Sequence, residues 1–339
     1  MLEVYEFVIL SLIFSLLIDA IFGELPTKIH PVVIIGKFID FFKNIFIRFR
    51  NRLSGFFTTF FTILCSCLVL LLIMLISSVN DYLFIIVYSI MLSSTYSIKM
   101  LLSTAKSIEN DLKEDLDKAR KSVSYLVSRD TDELTESFIV SATIESMTEN
   151  ITDSYIAPIF YFSIVSIIFL IFNIDYYIIL LLIPFIYRIS NTLDAMLGYK
   201  TDELFNIGFF PAKLDDVLNF IPSRISGIFV IISAYFLRYN GKNAYRIMKR
   251  DARKCPSPNS GYTMATAAGA LDIQLIKKGT YVLGDNNHEI SVLDISKAIR
   301  LTSLTIRLFT IFIIIILTIV YMIIWNHDFF KNVVDIKKE

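Results

Sequence analysis

Three carboxylates stand directly before a long apolar run. Glu145, Glu149 and Asp153 follow one another at intervals of four residues, and the next residues, 154–174, carry no charge. On a helix, positions i, i+4 and i+8 share one face, so these side chains would form an acidic ridge. Like charges at this spacing repel one another unless a cation lies among them. A divalent metal or a charged substrate is the expected occupant, and a solvated helix face is the simpler alternative.

A second set of oxygen-bearing side chains repeats this arrangement further along the chain. Asn191 and Asp194 are i, i+3 partners, and Asp215, Asp216 and Asn219 follow the same pattern. Magnesium commonly uses one or two carboxylates together with substrate phosphates, which suits such spacings. The sequence therefore predicts magnesium ligands here as well as on the acidic ridge.

Basic residues accompany these acids and could hold phosphate groups. They are Lys200, Lys213 and Arg224. Adjacent helical residues point about 100° apart, so Asp215 and Asp216 are not expected to serve one metal together. Because Asn219 shares a face with Asp215, we predict that Asp215 faces the site and that Asp216 pairs with Lys213 or Arg224.

Two further motifs are rich in Gly and Pro and predict rigid loops. In the first, Asp19 ends an apolar helix and His30 precedes a proline; the histidine is a candidate base or ligand, or a structural residue. In the second, residues 251–262 include Ser257 and Asn259 between prolines and a glycine. Exposed backbone N–H groups in such a loop could cradle a phosphate or carboxylate, although a tight connector would look the same.

Composition decides the fold class. Of 339 residues, 55% are hydrophobic and 19% are charged, against about a quarter charged in soluble domains. Charge-free runs at 56–79, 82–98, 154–174 and 308–325 are long enough to cross a bilayer. The shorter runs 176–187 and 225–237 could be tilted spans or re-entrant segments. We therefore predict an all-α, polytopic integral membrane protein.

The distribution of charge predicts the topology. The formal net charge is zero, which indicates no nucleic-acid partner. The first long loop is basic, and by the positive-inside bias it is cytoplasmic. We expect one membrane-embedded domain over 1–339, with a cytoplasmic helical hairpin at 101–153 that leads into a span. Segments 190–224 and 238–306 would be cytoplasmic and carry motifs, and Asp130 with Glu133 predicts a capping box for the second helix of the hairpin.

Taken in order, these motifs resemble those of the CobD/CbiB family, the adenosylcobinamide-phosphate synthases of cobalamin biosynthesis. The resemblance extends over roughly residues 10 to 300. The matching residues are Asp19, Gly23, His30, Pro31, Ile35, Gly36; Glu145, Glu149, Asn150, Asp153, Ala157, Pro158, Phe160, Tyr161; Asn191, Asp194, Gly198, Tyr199, Lys200; Leu214, Asp215, Asp216, Asn219, Pro222, Arg224; Asp251, Ser257, Pro258, Asn259, Gly261, Ala268, Gly269, Ala270. Ser154 stands where the family often has glycine.

The resemblance implies a membrane enzyme that joins (R)-1-aminopropan-2-ol, or its O-phosphate, to adenosylcobyric acid through an amide bond. ATP would activate the carboxylate. The expected environment is membrane lipid in the cell membrane, with a homo-oligomer or other corrinoid-assembly enzymes as further partners.

The residues fit this chemistry in the following roles. Magnesium would be held among Glu145, Glu149, Asp153 and Asp215 and would shield the nucleotide charge. The three basic residues would stabilise the transferring phosphoryl group, and the polar side chains of the other motifs would help to bind the nucleotide. A carboxylate or His30 would take the proton of the attacking amine. The nucleotide-binding candidates are Lys200, Lys213, Arg224, Asn191, Asp194, Ser257 and Asn259.

Two other classes of protein fit part of the pattern. A transporter of a small organic solute also buries acids in broken helices, but it should show two related halves, which the sequence does not. A magnesium-dependent membrane prenyl- or alcohol-phosphate transferase should present two Asp-rich motifs on facing helices. Here the acids are mixed with Asn, Pro and Gly.

Overall fold

Helices account for most of the described chain. The computed structural model describes residues 3–49, 51–127, 130–199 and 201–336, with side chains to residue 325. The helices are α1 Val4–Phe22, α2 Pro31–Phe46, α3 Arg52–Ser77, α4 Asp81–Ser93, α5 Ile98–Glu114, α6 Leu116–Ser124, α7 Glu136–Ile151, α8 Ala157–Phe172, α9 Tyr177–Leu197, α10 Phe209–Leu218, α11 Phe220–Phe236, α12 Gly241–Asp251, α13 Gly261–Ala270 and α14 Val292–Ile336. A π-helical turn, Thr152–Ile156, joins α7 to α8.

Several helices are long and apolar enough to cross a membrane, which confirms the predicted fold class. In the described chain five pass this test: Val4–Phe22, Arg52–Ser77, Glu136–Phe172, Tyr177–Leu197 and Val292–Trp325. Two bent pairs, α4 with α5 and α10 with α11, raise the number to seven if each pair is one span. The short runs 176–187 and 225–237 each lie within one helix except for a single residue, the first in α9, which contains Pro184, and the second in α11.

Polar residues at the ends of the apolar segments set the helix boundaries. Asn51 caps α3 by accepting a hydrogen bond from the N–H of Ser54 (2.9 Å), and Asn80 caps α4 in the same way. The predicted capping box at Asp130 is wrong, because α7 begins at Glu136 with Thr135 at its N-cap. The Asp130 carboxylate instead accepts a hydrogen bond from the N–H of Asp132 in a turn.

The chain divides into two compact units. Unit 1 comprises Met1–Tyr96, Pro158–Ala212 and Thr310–Glu339, and unit 2 comprises Ser97–Ala157 and Lys213–Phe309. In unit 1, α2 and α9 pack against α3, and α1 packs against α4. The ring of Phe7 stacks on Tyr177 and meets the edge of Tyr88. One side of α3 exposes large apolar residues such as Leu68 and Leu72, as expected of a surface in contact with lipid.

Unit 2 is built around the small-residue helix α13, which packs against α11 and α12. A Cβ atom on Gly269 would lie 2.7 Å from the carbonyl oxygen of Asn243, so only glycine permits this close approach of α12. After α13 comes an antiparallel hairpin of β1 Gln274–Lys277 and β2 Tyr281–Gly284. Gly279 turns this hairpin at a φ of 71°, and β1 packs against α7.

Candidate functional site

The hairpin positions the first acid of the predicted ridge. The side chain of Glu145 is buried, and it accepts hydrogen bonds from Ser141 Oγ (2.6 Å) and Tyr281 Oη (2.8 Å). Ser141 Oγ in turn accepts a hydrogen bond from the backbone N–H of Ile276 in β1 (2.9 Å). The Glu145 carboxylate is therefore held between its own helix and both strands of the hairpin.

The second and third acids lie where α7 changes its geometry. Glu149 is half-buried and interacts electrostatically with Asp153, Lys277 and Glu145. The helix α7 ends at Ile151, so Asp153 belongs to the π-helical turn. Such insertions in a helix occur frequently at functional sites. The predicted four-residue repeat is thus regular from Glu145 to Glu149, and Asp153 still lies close enough to act on Glu149.

Glu145, Glu149 and Asp153 form an acidic cluster. The sequence analysis did not identify Tyr281 and Lys277, which complete it. Burial, together with the negative charge of Glu145, raises the pKa of Tyr281 above its ordinary value, so its hydroxyl stays protonated and donates to that carboxylate. Burial likewise raises the pKa of the nearby Cys255 thiol to about 11, which keeps it neutral rather than nucleophilic. A hairpin signal was present at residues 274–284, where two short apolar stretches flank Lys278-Gly279.

The metal site predicted at the acidic cluster stays a prediction. Among the described residues, no group of three or more His, Cys, Asp or Glu side chains is arranged to hold a metal ion. Glu145 already accepts hydrogen bonds from two hydroxyls. Because magnesium often takes only one or two carboxylates and completes its shell with water and phosphates, a single carboxylate such as that of Asp153 fits that mode of binding.

The predicted pairing of Asp216 with Lys213 is confirmed, and the predicted orientation of Asp215 toward a site stays a prediction. Lys213 Nζ lies 2.9 Å from Asp216 Oδ2, and Asn219 Nδ2 donates to Asp215 Oδ2 (3.0 Å). The two carboxylates therefore point in different directions from α10. Nothing in these contacts establishes that Asp215 binds a metal, which stays a prediction.

Arg224 is fixed between two aromatic rings. Its guanidinium carbon lies 3.6 Å from the ring centroid of Phe220 and 4.2 Å from that of Tyr262. Arg224 Nη1 donates to Asn259 Oδ1 (2.9 Å), while Asn259 Nδ2 donates to the carbonyl oxygen of Asp216 (2.8 Å). Two predicted motifs, 213–224 and 251–262, are thereby joined into one polar cluster.

Ser257 orders the loop that carries this asparagine. Its hydroxyl oxygen accepts a hydrogen bond from the N–H of Asn259 (3.2 Å), as in the turns that serine and threonine form with their own backbone. The loop is therefore an ordered connector that places Asn259 next to Arg224. The binding of a phosphate or carboxylate by its backbone N–H groups stays a prediction.

A buried aspartate anchors the start of this loop. Asp251 has no exposed surface and accepts hydrogen bonds from Arg250 (2.8 and 2.7 Å) and from the N–H of Gly284 (2.9 Å), with Lys254 Nζ at 2.6 Å. Burial alone would raise the pKa of Asp251, but the hydrogen bonds from Arg250, Lys254 and Gly284 lower it to about 2. Because Gly284 ends β2, its hydrogen bond to the Asp251 carboxylate also links the hairpin to the end of α12.

The remaining predicted residues belong to unit 1. His30 caps α2, where its Nδ1 accepts a hydrogen bond from the N–H of Val32 (3.1 Å). Burial lowers the pKa of His30, so the ring is neutral and can accept this bond. Its structural role is therefore established, and its role as a base stays a prediction.

The polar motif of α9 is half-buried near the end of that helix. Asn191 and Asp194 lie one turn apart, and a Cβ atom on Gly198 would come within 2.2 Å of Asp194 Oδ1. Glycine at this position therefore leaves room for the Asp194 carboxylate. Lys200 lies outside the described residues. The predicted convergence of the unit 1 and unit 2 motifs on one site stays a prediction.

Comparison with known proteins identifies relatives along most of the chain. A sequence model of the family described as CobD/Cbib protein matches residues 12–302. A probable cobalamin biosynthesis protein CobD of Methanothermobacter thermautotrophicus is 45% identical over 302 residues, 88% of this chain and 95% of that protein. One of Methanocaldococcus jannaschii is 40% identical, with coverages of 93% and 97%. A cobalamin biosynthesis protein CobD of Dehalococcoides mccartyi is 36% identical, with coverages of 82% and 87%. No solved structure matches the chain.

The ionised state of Asp251 should make stability depend on pH. Its pKa lies near 2 in the folded protein, below the ordinary value of about 3.9, so its contribution is complete above about pH 5 and is lost as the pH falls through about 4 toward 2. We expect Asp251→Asn to lower the free energy of unfolding by about 2 kcal/mol at neutral pH. Thermal unfolding in detergent should show this deficit shrinking below about pH 4.

The control for this measurement is Asp132→Asn, which removes a carboxylate from an exposed turn. It should leave stability unchanged at every pH. A deficit in Asp251→Asn that stays constant between neutral and acidic pH would show that the ionised carboxylate is not its cause.

Proposed function

Because the chain belongs to the CobD/CbiB family of cobalamin biosynthesis proteins, we propose that it is an ATP-dependent amide ligase. It would join the amino group of (R)-1-aminopropan-2-ol, or of its O-phosphate, to the propionate carboxylate of adenosylcobyric acid. ATP would transfer its terminal phosphoryl group to that carboxylate and leave as ADP. The amine nitrogen then forms the amide bond, phosphate leaves, and one proton is released from the nitrogen.

The observation that supports this chemistry best is the unequal state of the two glutamates of α7. Glu145 accepts hydrogen bonds from two hydroxyls, and within the described chain Glu149 accepts none. Glu149 also lies near the charges of Lys277 and Asp153. A half-buried carboxylate without hydrogen-bond donors is the better proton acceptor, since among the described residues Lys277 alone opposes the repulsion from the neighbouring acids. We assign Glu149 as the base for the attacking amine and Glu145 as the residue that holds Tyr281.

The phosphate groups would be bound at the polar cluster of unit 2. The guanidinium of Arg224 is held by aromatic rings and by Asn259, so it needs little reorganisation to meet a phosphoryl group. Lys213 lies one helical turn before its partner Asp216, at an exposed position where it can exchange that partner for phosphate. Asp153 and Asp215 offer carboxylate oxygens for magnesium, which shields the nucleotide charge when bound.

The reaction would take place at the cytoplasmic face, where ATP and the corrinoid are found. The basic first loop supports this orientation by the positive-inside bias. The strongly basic segment that includes α12 agrees with it.

The activity is tested with the purified full-length protein, adenosylcobyric acid, ATP and magnesium, with each amine donor supplied in turn. The amide product is identified by mass. We expect Glu149→Gln to lower turnover by roughly 10²–10⁴-fold, because an amide cannot accept the proton. Glu136→Gln, at the exposed start of the same helix, is the matched control and should retain full turnover. Absence of product with every donor would reject the proposed reaction, and an active Glu149→Gln variant would reject only the assigned base.

Substitutions of Asp215 and Asp216 should have different effects on turnover, because the two side chains make different contacts. Asp215→Asn should lower turnover at least roughly tenfold, because it removes a proposed metal ligand. Asp216→Asn removes only an exposed ion pair with Lys213, worth about 0–1 kcal/mol, and keeps the backbone carbonyl that binds Asn259. Turnover and thermal stability are measured for both. Equal losses of turnover in the two variants would contradict this division.

The proposed topology is tested by labelling single cysteines with an impermeant maleimide, in a background that lacks Cys65, Cys67 and Cys255. Cysteines at Lys28 and Arg253 should react only after the cells are opened. A cysteine at Val79, in the short exposed turn between α3 and α4, should react in intact cells. Labelling of position 28 or 253 from outside would place that loop on the wrong side for the proposed reaction.

A further inference from the structure

Positive charge is concentrated in the segment that includes α12. Residues 238–254 contain seven Lys and Arg residues and a single acidic residue, Asp251. Asp251 is completely buried and pairs with two of these residues, Arg250 and Lys254. The proposed ligase chemistry uses none of these exposed basic residues.

The helix α12 has two clearly different faces. Its buried residues are Gly241, Asn243, Ala244, Ile247 and Asp251. Its exposed residues are Lys242, Tyr245, Arg246, Lys249 and Arg250. The exposed residues line a cleft of about 770 Å³, which is completed by Asn240, Asn243, Asp272 and Asn287. We call this surface the basic face of α12.

Acidic partners neutralise only part of the basic face. Asp285 pairs with both Arg246 and Arg250, and it lies in the same unit. The carboxylate of Asp272 in the cleft accepts hydrogen bonds from Asn240 and Asn243.

The two lysines carry the charge that remains. No carboxylate in the described part of the chain forms an ion pair with Lys242 or Lys249. Lys249 lies 5.5 Å from the ring centroid of Tyr245, and its side chain is exposed. The basic face therefore has at least two cations available for an external anion.

The basic face follows directly after a candidate span. The helix α11 belongs to a bent pair that is apolar enough to cross a membrane, and four residues separate its end from the start of α12. Tyr235 is 60% exposed and Phe236 is 70% exposed at the end of α11, and Tyr245 of α12 is 51% exposed. Aromatic side chains concentrate at the level of the lipid headgroups, and basic segments beside a span are attracted to anionic lipids.

We propose that the basic face of α12 binds the phosphate headgroups of anionic membrane lipids. Lys242 and Lys249 supply the charge, while the exposed aromatic residues lie at the level of the headgroups. A soluble phosphate compound could use the same cations, but it would give no reason for aromatic side chains to be exposed beside them. The membrane is therefore the source of phosphate that the whole surface fits.

The test measures lipid binding to the full-length protein in a neutral detergent. The protein is titrated at low salt with short-chain phosphatidylglycerol or short-chain phosphatidylcholine, and bound lipids are counted by native mass spectrometry. We expect tighter binding of phosphatidylglycerol. The double variant Lys242→Gln/Lys249→Gln should weaken its binding at least about tenfold, since each lysine near an anionic surface contributes about fivefold. Binding of phosphatidylcholine should not change.

The matched control removes two exposed basic residues elsewhere in unit 2, by Lys121→Gln/Arg300→Gln. It should bind phosphatidylglycerol as the parent protein does, and both double variants should unfold at the parent temperature. Equal affinity for the two lipids, or an equal loss in the two double variants, would overturn the proposal. A third measurement uses tripolyphosphate as the ligand. If tripolyphosphate binds more tightly than phosphatidylglycerol, and if the Lys242→Gln/Lys249→Gln variant no longer binds it, the surface is a site for a soluble anion instead.

Discussion

The buried charge of Asp251 is the constraint on which the polar part of unit 2 depends. A carboxylate without contact with water is strongly disfavoured unless hydrogen bonds and opposite charges compensate it. The Asp251 carboxylate is compensated by two distant parts of the chain. Arg250 at the end of α12 and the N–H of Gly284 at the end of β2 both donate hydrogen bonds to it. The same contacts therefore fix the start of the loop that carries Asn259 and the end of the hairpin that carries Tyr281.

The two glutamates of α7 show how the fold can place acids at an apolar helix without neutralising both. Tyr281 and Ser141 stabilise the charge of Glu145, which in return holds the hairpin against α7. Glu149 receives no such bonds from the described residues and is left with electrostatic neighbours of both signs. Pairs of acids whose environments differ in this way are a common basis for separate roles in acid–base chemistry. In the proposed function, one glutamate maintains the structure around the other, which acts as the base.

The sequence predicted the features that depend on short separations along the chain. The apolar runs identified the helical membrane class, and the spacing of Lys213 and Asp216 predicted a contact that spans three residues. The hairpin was not predicted, and the contact of Tyr281 with Glu145 joins residues that are 136 positions apart. No periodic pattern of one segment encodes such a pairing. The π-helical turn at Asp153 was also missed, because carboxylates at intervals of four residues suit an uninterrupted helix equally well.

The basic residues of unit 2 differ in how firmly they are held, and this difference separates their proposed tasks. Arg224 lies between two rings and is bonded to Asn259, so its guanidinium has a fixed direction. A fixed, planar donor is suited to a phosphoryl group whose charge develops at one place during a reaction. Lys242 and Lys249 are exposed, and each carries a mobile point charge on a flexible stem. Such lysines cannot orient a reacting group, but they can follow the moving headgroups of a lipid surface. The fold thus holds the arginine in one direction and leaves the lysines exposed beside the candidate span.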